Sequence, residues 1–556
     1  MRNAIDRHAG HEKSMPNLSV PRKCTKLAAA AGLNFLLALT CQASGSPPFV
    51  SFLTEKQNDP AEAHLQRGLR LAQAGELQSA EGELRTAVRL KPDNAELLSS
   101  LATILAIEEK LDESTSLFEK ALKSSPRDLR SRRHLAANLW QLHRYAEAKQ
   151  NLKIILKADP ADSQAKLLLG MVSEKSGDHA TAVTMLESVP DLVRRQPEAV
   201  VALAKSYYRT GERIKAADSL SALANGPLKA QGALLGAQVA CDMQDYETAE
   251  TLLSAIPAEF SDATAARYLL AVVKFHTKRY QQSEQILQRL ISAGQKNGEI
   301  LRLLGWCYHK TNRDEDAIRT FRDAVELNPT DERNFLDLGG LLLEQRKFAA
   351  ALELANRSVN AFPASADALV LLGSIELATE RFTDALMTYS RSLSLDPSNA
   401  EGILGLARAQ AGAGMGDHAR RTLDEAIRRF PGRAPFEVEL ALLLLKENEN
   451  GDSNSQARTE ELLQAAAKHD PTLAEAQFQL GELALRRGQT ALAIVHLENA
   501  VRISPESARA HFALARGYRR AGRAEEAEKE TVLFEKFKKG DTPGATSSPP
   551  NVPPNE

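Results

Sequence analysis

Cysteine is scarce in this chain, which has four cysteines among 556 residues. Two of them, Cys24 and Cys41, lie close to the N-terminus, and no Cys-x-x-Cys pair occurs anywhere. A small fold stapled by disulfides and a four-cysteine zinc site are therefore excluded. The chain must be held together by the packing of its side chains.

Charge of one sign and aromatic residues are also in short supply. The 70 lysines and arginines are balanced by 72 aspartates and glutamates, and no long run of like charge occurs. Proteins that bind nucleic acid usually carry a basic patch or stripe, so nucleic acid is not an expected partner. Aromatic residues make up 5% of the chain, which predicts a core of leucine and alanine.

Motifs that carry chemistry are missing as well. The 12 histidines form no His-Glu-x-x-His pattern, and no Gly-x-Ser-x-Gly sequence is present. Gly412, Gly414 and Gly416 resemble a phosphate loop, but they follow a helical pattern rather than a strand, and we assign them to a turn. The sequence therefore predicts no catalytic residue, no metal site, no cofactor and no enzymatic activity.

Proline, in contrast, recurs at a step of 34 residues, and small residues recur between the prolines. The prolines on this step are Pro92, Pro126, Pro160, Pro329, Pro363, Pro397 and Pro431. The unit that begins at Ala61 has Gly68 at position 8, Ala80 at position 20 and Pro92 at position 32. In the unit that begins at Gly298, positions 8, 11, 20, 24, 27 and 32 are Gly305, Tyr308, Ala317, Phe321, Ala324 and Pro329.

This pattern resembles the tetratricopeptide repeat, a helix-turn-helix unit with small residues where its two helices cross. The resemblance implies an all-α fold, a right-handed α-solenoid or superhelix of about 14 repeats. On the 34-residue step, the repeats begin at Ala61, Ala95, Leu129, Ser163, Pro197, Ala230, Thr264, Gly298, Glu332, Ala366, Ala400, Ala434, Ala474 and Ala508.

The apolar spacing predicts two amphipathic helices per repeat, with the proline ending the second. A polar residue just after the proline is then placed to start the next helix, and we expect Asp93, Asp331, Ser398 and Glu506 to do so. Cys241 and Cys307 fall on first helices two repeats apart, too far for a disulfide.

The repeats organise most of the chain. We expect a leader at 1–45, a linker at 46–60, repeats 1–5 at 61–228, degenerate repeats 6–7 at 230–297, repeats 8–14 with a C-terminal capping helix at 298–539, and a disordered Pro-rich tail at 540–556. Repeats 4–7 lack the proline at position 32, and an insertion within 447–456 lengthens one turn between helices.

The leader predicts export. Arg22, Lys23 and Lys26 precede an apolar run at 27–40 that is too short for a comfortable membrane span of about 20 residues. Three alternatives remain open: cleavage after Ala43 or Gly45, lipidation at Cys41, or an uncleaved anchor. Translation starts at Met1 or Met15. Each alternative places the repeats in the periplasm, in the cell envelope or outside the cell, with membrane contact only through the leader.

In the tetratricopeptide repeat family the first helix of each repeat lines a concave groove, through positions 2, 5, 9, 12 and 13. The resemblance therefore implies a site for a peptide or helix where aromatic residues and arginine gather at these positions, and such residues often anchor partners. The candidates are Tyr208, Tyr268, Val272, Phe275, Arg302, Trp306 and His309. The alternative is that these rings pack on neighbouring helices as core.

Three functions fit the sequence. The first is an exported, non-enzymatic scaffold that binds proteins or peptides in its groove, in envelope assembly or secretion. The second is a recruiting or regulatory subunit of an envelope enzyme or of a polysaccharide-export complex. The third is a purely structural spacer.

Overall fold

A computed structural model describes residues 59–225, 229–257, 259–447 and 453–538. The predicted leader with Cys41, all but the end of the linker, the centre of the insertion and the C-terminal tail lie outside these residues. The described residues form two compact bodies, 59–313 and 314–538. Each body is an array of helices in which consecutive helices pack on each other.

The described residues contain 29 helices and no strand. In the first body the helices are Pro60–Gln73, Leu77–Leu90, Ala95–Ile107, Leu111–Ser124, Leu129–Gln141, Tyr145–Ala158, Ser163–Lys175, His179–Glu187, Pro190–Arg194, Pro197–Thr210, Arg213–Ala224, Lys229–Asp242, Tyr246–Ser254, Ala263–His276, Tyr280–Ser292 and Gly298–Lys310. In the second body they are Asp314–Leu327, Glu332–Glu344, Phe348–Ala361, Ala366–Ala378, Phe382–Leu395, Ala400–Gly412, Gly416–Arg429, Ala434–Glu447, Ser453–His469, Ala474–Arg486, Thr490–Ile503, Ala508–Arg520 and Ala524–Lys538. The predicted all-α solenoid of helix-turn-helix repeats is confirmed.

The helices depart from a regular pairing where the prolines leave the 34-residue step. In repeat 4 the second helix ends at Glu187, and Pro190 opens a separate short helix, Pro190–Arg194. Proline has no backbone N–H to continue the preceding helix, so an early proline shortens it. In repeat 12 the second helix begins at Ser453 and has 17 residues, so part of the insertion is helical rather than turn.

First helices are capped by a residue one place later than we expected in three of four cases. The side chains of Asn94, Asn399 and Ser507 accept hydrogen bonds from the first-turn backbone, whereas Asp93, Ser398 and Glu506 stand just before them. Only Asp331 is the cap that the sequence predicted. The proline and the residue after it form the turn between repeats, so the cap of the next first helix is the second residue after the proline.

In 13 of the repeats, where the structure describes position 15, the turn between the two helices uses a left-handed residue at that position. Glycine fills this place in several repeats, including Gly75 and Gly488. Seven other repeats use a residue with a side chain, and these are Glu109, His143, Gln244, Lys278, Asn312, Arg346 and Glu380. Backbone bonds such as Lys110 N–H to Leu105 O, at 2.9 Å, close the first helix there. Tight hydrogen bonding therefore holds the turn even where glycine is missing.

Within a repeat, the two helices approach most closely at positions 8, 20 and 24. A Cβ atom at Gly68 would lie 2.8 Å from Leu84 Cγ, and one at Gly170 would lie 2.5 Å from Leu186 Cγ. Where position 20 is serine, its hydroxyl reaches the position 8 carbonyl of the first helix, as Ser114 Oγ does with Ala102 O at 2.6 Å. Small residues are thus required for the helix axes to come this close.

The repeat positions chosen from the sequence lie at this crossing or in the turns. Gly68, Ala80, Gly305, Ala317, Phe321 and Ala324 are buried, while Pro92 and Pro329 are exposed in turns between repeats. Tyr308 is partly exposed, and the guanidinium carbon of Arg313 lies 4.5 Å from the centre of its ring.

Ion pairs between positions 16 and 21 tie adjacent repeats together at four junctions, those of repeats 1 and 2, 3 and 4, 6 and 7, and 7 and 8. Lys110 Nζ lies 2.7 Å from Glu81 Oε2, and Arg279 Nη1 lies 3.0 Å from Glu250 Oε1. The pair between repeats 3 and 4 has the opposite sense, because Lys149 stands at position 21 and Asp178 at position 16, 2.5 Å apart. The same pair of positions therefore forms the contact at several junctions, and either position can carry the positive charge.

Gly405 and Gly340 offer a matched test of close packing. The Tyr389 ring is fully buried, with Gly373 on one side and Gly405 on the other, and a Cβ atom at Gly405 would overlap it. We expect Gly405→Ala to destabilise the second body by about 1–3 kcal/mol. Gly340 meets nothing within 4 Å, so Gly340→Ala should be neutral or stabilise its helix by up to about 1 kcal/mol.

Hydrogen exchange followed by mass spectrometry measures both effects locally, which suits an array that does not unfold as one unit. Faster exchange in Phe382–Leu395 and Ala400–Gly412 is expected for Gly405→Ala alone. Equal protection in the two variants would contradict the account.

The junction between repeats 1 and 2 should weaken in acid. The hydrogen bond from Lys110, followed by one from Arg85, lowers the pKa of Glu81 from 4.5 to about 2. A carboxyl group with a lowered pKa stabilises the folded state above its ordinary value, and this contribution is lost as the pH falls through the lowered value. We expect Lys110→Gln to reduce the hydrogen-exchange protection of Leu77–Leu90 and Leu111–Ser124, corrected for the intrinsic exchange rate at each pH, by an amount that shrinks between pH 6 and pH 2. A constant difference would contradict the assignment.

Candidate functional site

Three of the predicted groove residues belong to the hydrophobic core instead. Tyr268, Val272 and Phe275 pack with Ile300 and Leu303 of the next repeat, and Phe275 is only 1% exposed. The expectation that these three side chains present a surface is wrong, and the alternative of rings packed on neighbouring helices is confirmed for them. The first helices of repeats 7 and 8 lie close enough that positions 5, 9 and 12 of repeat 7 are covered.

The remaining candidates in repeat 8 are only partly accessible. Arg302 is buried, whereas Trp306 and His309 are partly exposed and meet edge to face, with ring centres 5.6 Å apart. Trp306 also packs against the core cluster that contains Phe275. Of this predicted group, Trp306 and His309 are the side chains that a partner could reach.

Tyr208 is a bridge between repeats 5 and 6. Its hydroxyl donates to Asp245 Oδ2 at 2.8 Å, and the guanidinium carbon of Arg213 lies 5.7 Å from the centre of its ring. Burial, reinforced by the hydrogen bond to Asp245, raises the pKa of Tyr208. The ring is half-buried and its polar end is already bonded, so its structural role is clear from the geometry.

The first helices of repeats 13 and 14 carry an aromatic surface that our sequence analysis missed. Phe512 is 44% exposed, its ring centre lies 5.1 Å from that of Phe534, and the Arg516 guanidinium carbon lies 5.9 Å from it. In repeat 13, Phe478 occupies the same position 5 and is partly covered by Arg509, 4.7 Å from its centre. We call Phe478, Phe512, Arg516 and Arg519 the terminal surface.

The arginines of this surface differ in their partners. Arg516 pairs with Glu482 at 3.3 Å, one repeat back. Arg519 donates to Thr531 Oγ1 at 2.8 Å, and Arg520 donates to Leu485 O at 2.5 Å. These last two bonds go to neutral oxygens, and neither Arg519 nor Arg520 forms an ion pair with a carboxylate in the described residues. Reading positions 5, 9 and 12 in repeats 13 and 14 would have revealed the surface.

The titratable groups in the core are poor candidates for chemistry. Burial raises the pKa of Cys241 and that of Cys307 to about 12, so both remain thiols at neutral pH. Burial lowers the pKa of His134 to about 4. Among the described residues, no group of three or more histidines, cysteines, aspartates or glutamates is placed to hold a metal ion.

Within the same described ranges, none of the helices combines the length and the apolar character needed to cross a membrane.

The difference between core and surface rings can be measured. We expect Phe275→Ala to destabilise the first body by about 3–5 kcal/mol, because it leaves a cavity in the core. Phe512→Ala should cost less than about 2 kcal/mol, because much of that ring already contacts water. Hydrogen exchange in Ala263–His276 and Ala508–Arg520 measures the two effects, and a larger loss of protection for Phe512→Ala would contradict this placement.

Known proteins match this chain by sequence in both bodies. Two family models match, and both are described as tetratricopeptide repeat. One matches residues 65–128 and 336–400, and the other matches residues 105–172, 240–307, 275–338, 376–437 and 484–531. The type IV pilus assembly protein PilF of Pseudomonas aeruginosa is 31% identical over 229 residues, which is 39% of this chain and 89% of the relative. The CTR9 homolog of Arabidopsis thaliana is 22% identical over 296 residues, 51% of this chain, and the match spans only 27% of that protein.

Solved structures resemble the chain more loosely. The human IFIT1 dimer matches at 15% identity with a TM-score of 0.38, covering 67% of this chain and 90% of that chain. The crystal structure of MamA matches at 22% identity with a TM-score of 0.26, covering 30% of this chain and 95% of the other. The repeat models along the sequence and the relative matched over most of its length carry the assignment, and the chain belongs to the tetratricopeptide repeat family.

Proposed function

We propose that this protein is a non-enzymatic scaffold that binds a protein or peptide partner on the first helices of its repeats. The observation that carries the proposal is the terminal surface, where Phe512 is 44% exposed beside Arg516 and Arg519. Aromatic residues and arginine are enriched at protein interfaces, where a few such side chains carry most of the binding energy. The family's general use as an interaction scaffold supports the same conclusion.

The chemistry of the terminal surface favours one kind of ligand. Phe512 offers an apolar contact, and Arg519 and Arg520 bond only to neutral oxygens in the structure. An extended peptide with an apolar side chain and a carboxylate would satisfy both, because arginine and carboxylate form strong, geometrically defined hydrogen bonds. Trp306 and His309 are a second, partly exposed pair of rings on a first helix, in the first body.

We further propose that the protein is exported and acts in the cell envelope, in assembly or secretion. The leader at 1–45 motivates export, through cleavage, lipidation at Cys41 or retention as an anchor. The relative from Pseudomonas aeruginosa is described as a type IV pilus assembly protein, and its 31% identity favours pilus assembly as the form of envelope assembly. We propose that this protein's partners are proteins or peptides and not nucleic acid.

A recruiting or regulatory subunit of an envelope enzyme or polysaccharide-export complex is the second candidate. The same terminal surface would then hold the catalytic chain rather than an assembly component. Co-purification of an enzymatic activity with the chain distinguishes the two. A purely structural spacer would need none of these surfaces, so it predicts that substitutions there leave every interaction unchanged.

Capture of partners from the envelope fraction tests the proposal. The full chain, Phe512→Ala and Trp306→Ala are compared with Leu90→Ala, a control that alters a second-helix residue whose exposure (50%) is similar to that of Phe512 (44%). We expect Phe512→Ala to reduce recovery of one specific protein at least about tenfold, a loss of about 1.4 kcal/mol, while Leu90→Ala retains it.

The other outcomes are equally informative. Loss with Trp306→Ala alone would move the binding site to the first body. Retention of every partner by both variants would overturn the first-helix site and favour the spacer. Export is tested separately, since an uncleaved chain found in the cytosol would contradict it.

A further inference from the structure

The second helix of repeat 10 exposes a stripe that its own fold leaves uncovered. In Phe382–Leu395, Met387 is 62% exposed and Leu395 is 44% exposed, and Arg391 lies between them on the same face at a spacing of four residues. Exposed leucines on second helices also occur singly, as at Leu90. Here, two large apolar side chains and a cation share one helix face.

The neighbouring second helix, Gly416–Arg429, extends this stripe with further positive charge. Arg428 and Arg429 are both exposed, and Arg429 Nη1 lies 3.1 Å from Pro397 O, two residues beyond Leu395. This bond places the end of the repeat 11 helix directly beside Leu395. Arg433 is also exposed, and its guanidinium carbon lies 6.0 Å from the centre of the Phe430 ring.

The bonds made by these arginines leave their charge largely uncompensated. Arg391 donates to Pro363 O at 3.3 Å and Arg429 donates to Pro397 O, and both acceptors are neutral carbonyls. The nearby carboxylate of Asp396 is engaged by Ser398, whose hydroxyl donates to it at 2.6 Å. These bonds from Ser398, and to a smaller extent the charge of Arg429, lower the pKa of Asp396, so it stays ionised.

Two carboxylates near this stripe oppose the positive charge of the four arginines. Asp396 faces Arg429, and Glu425 is exposed on the repeat 11 helix, one turn before Arg428 and Arg429. Asp384, on the repeat 10 helix, is held by Arg381 at 2.8 Å, and Asp424, on the repeat 11 helix, is paired with Arg458 at 2.5 Å, so neither adds to the balance. Four arginines against two carboxylates give the stripe a positive excess around its apolar centre.

We propose that this outer patch, formed by Met387, Arg391, Leu395, Arg428, Arg429 and Arg433, binds an acidic amphipathic segment of a partner protein. Charge complementarity selects the segment, since carboxylates match the arginines and apolar side chains cover Met387 and Leu395. The patch lies on second helices, so it is separate from the terminal surface and does not depend on it. The scaffold would then hold two ligands at once, one on each layer of helices.

Fluorescence anisotropy with the full chain tests the patch. The probe is a fluorescein-labelled helical peptide of glutamate with leucine on one face, and its counterpart carries lysine in place of glutamate. We expect the acidic peptide to bind and the dissociation constant to rise at least about tenfold for Arg391→Glu/Arg428→Glu and for Met387→Ala/Leu395→Ala. Binding to the acidic peptide should weaken as salt increases, because the charges are exposed.

Two control variants make the result specific. Arg502→Glu changes an exposed arginine at the same repeat position as Arg428, three second helices along the chain from repeat 10, and should bind the peptide normally. Phe512→Ala removes the centre of the terminal surface and should also bind normally. Loss of binding with Phe512→Ala would show that the peptide uses the first-helix surface, and this would overturn the patch while supporting the proposed function.

Other results would also overturn the proposal. The lysine peptide could bind as tightly as the acidic peptide, or the affinity for the acidic peptide could be unchanged in both patch variants. Alternatively, vesicles of phosphatidylglycerol could bind the chain, with a loss of binding in the patch variants, while the acidic peptide does not bind. Light scattering completes the test, since a dimer that is lost in the patch variants would assign the patch to a second copy of this chain.

Discussion

The close approach of the two helices within each repeat is the contact on which the rest of this structure depends. It requires a small residue at position 8 of the first helix, such as Gly68 or Gly170, beneath a large residue of the second helix, Leu84 or Leu186. The serine hydroxyls that reach across to a first-helix carbonyl mark the same crossing. Because each repeat is compact at this point, the next repeat can pack on it, and a long chain is built from local contacts without a single large core.

This stacking also decides which side chains a partner can reach. A first helix inside the array has a neighbour on each side, so groove positions 5, 9 and 12 of repeat 7 become core and hold Tyr268, Val272 and Phe275. Phe478 is covered by an arginine from the following repeat, and no described helix follows repeat 14 to cover Phe512 in the same way. Aromatic residues at equivalent repeat positions therefore have opposite roles, according to their neighbours.

The first and second helices of the repeats form two layers, and each layer carries an exposed apolar and basic surface. The first helices present an aromatic and basic surface in repeats 13 and 14, and the second helices present Met387 and Leu395 between arginines in repeats 10 and 11. Both surfaces combine apolar area with arginines, some of whose guanidinium groups bond to neutral oxygens, which favours acidic ligands. Such an arrangement suits a protein whose work is to hold other proteins together.

The period of the sequence was enough to predict the fold, because position 8 glycines, position 20 alanines and position 32 prolines each answer a local demand of the helical hairpin. The left-handed turn was visible only where it holds glycine, since Lys278 or Arg346 adopts the same conformation without a sequence signal. The groove residues could not be judged from position alone, because exposure depends on how closely the next helix packs. Thus the sequence by itself determined the repeat, its helices and its small-residue crossings, whereas only the tertiary structure decided that Phe275 is core and Phe512 is surface, since burial is a property of neighbours and not of repeat position.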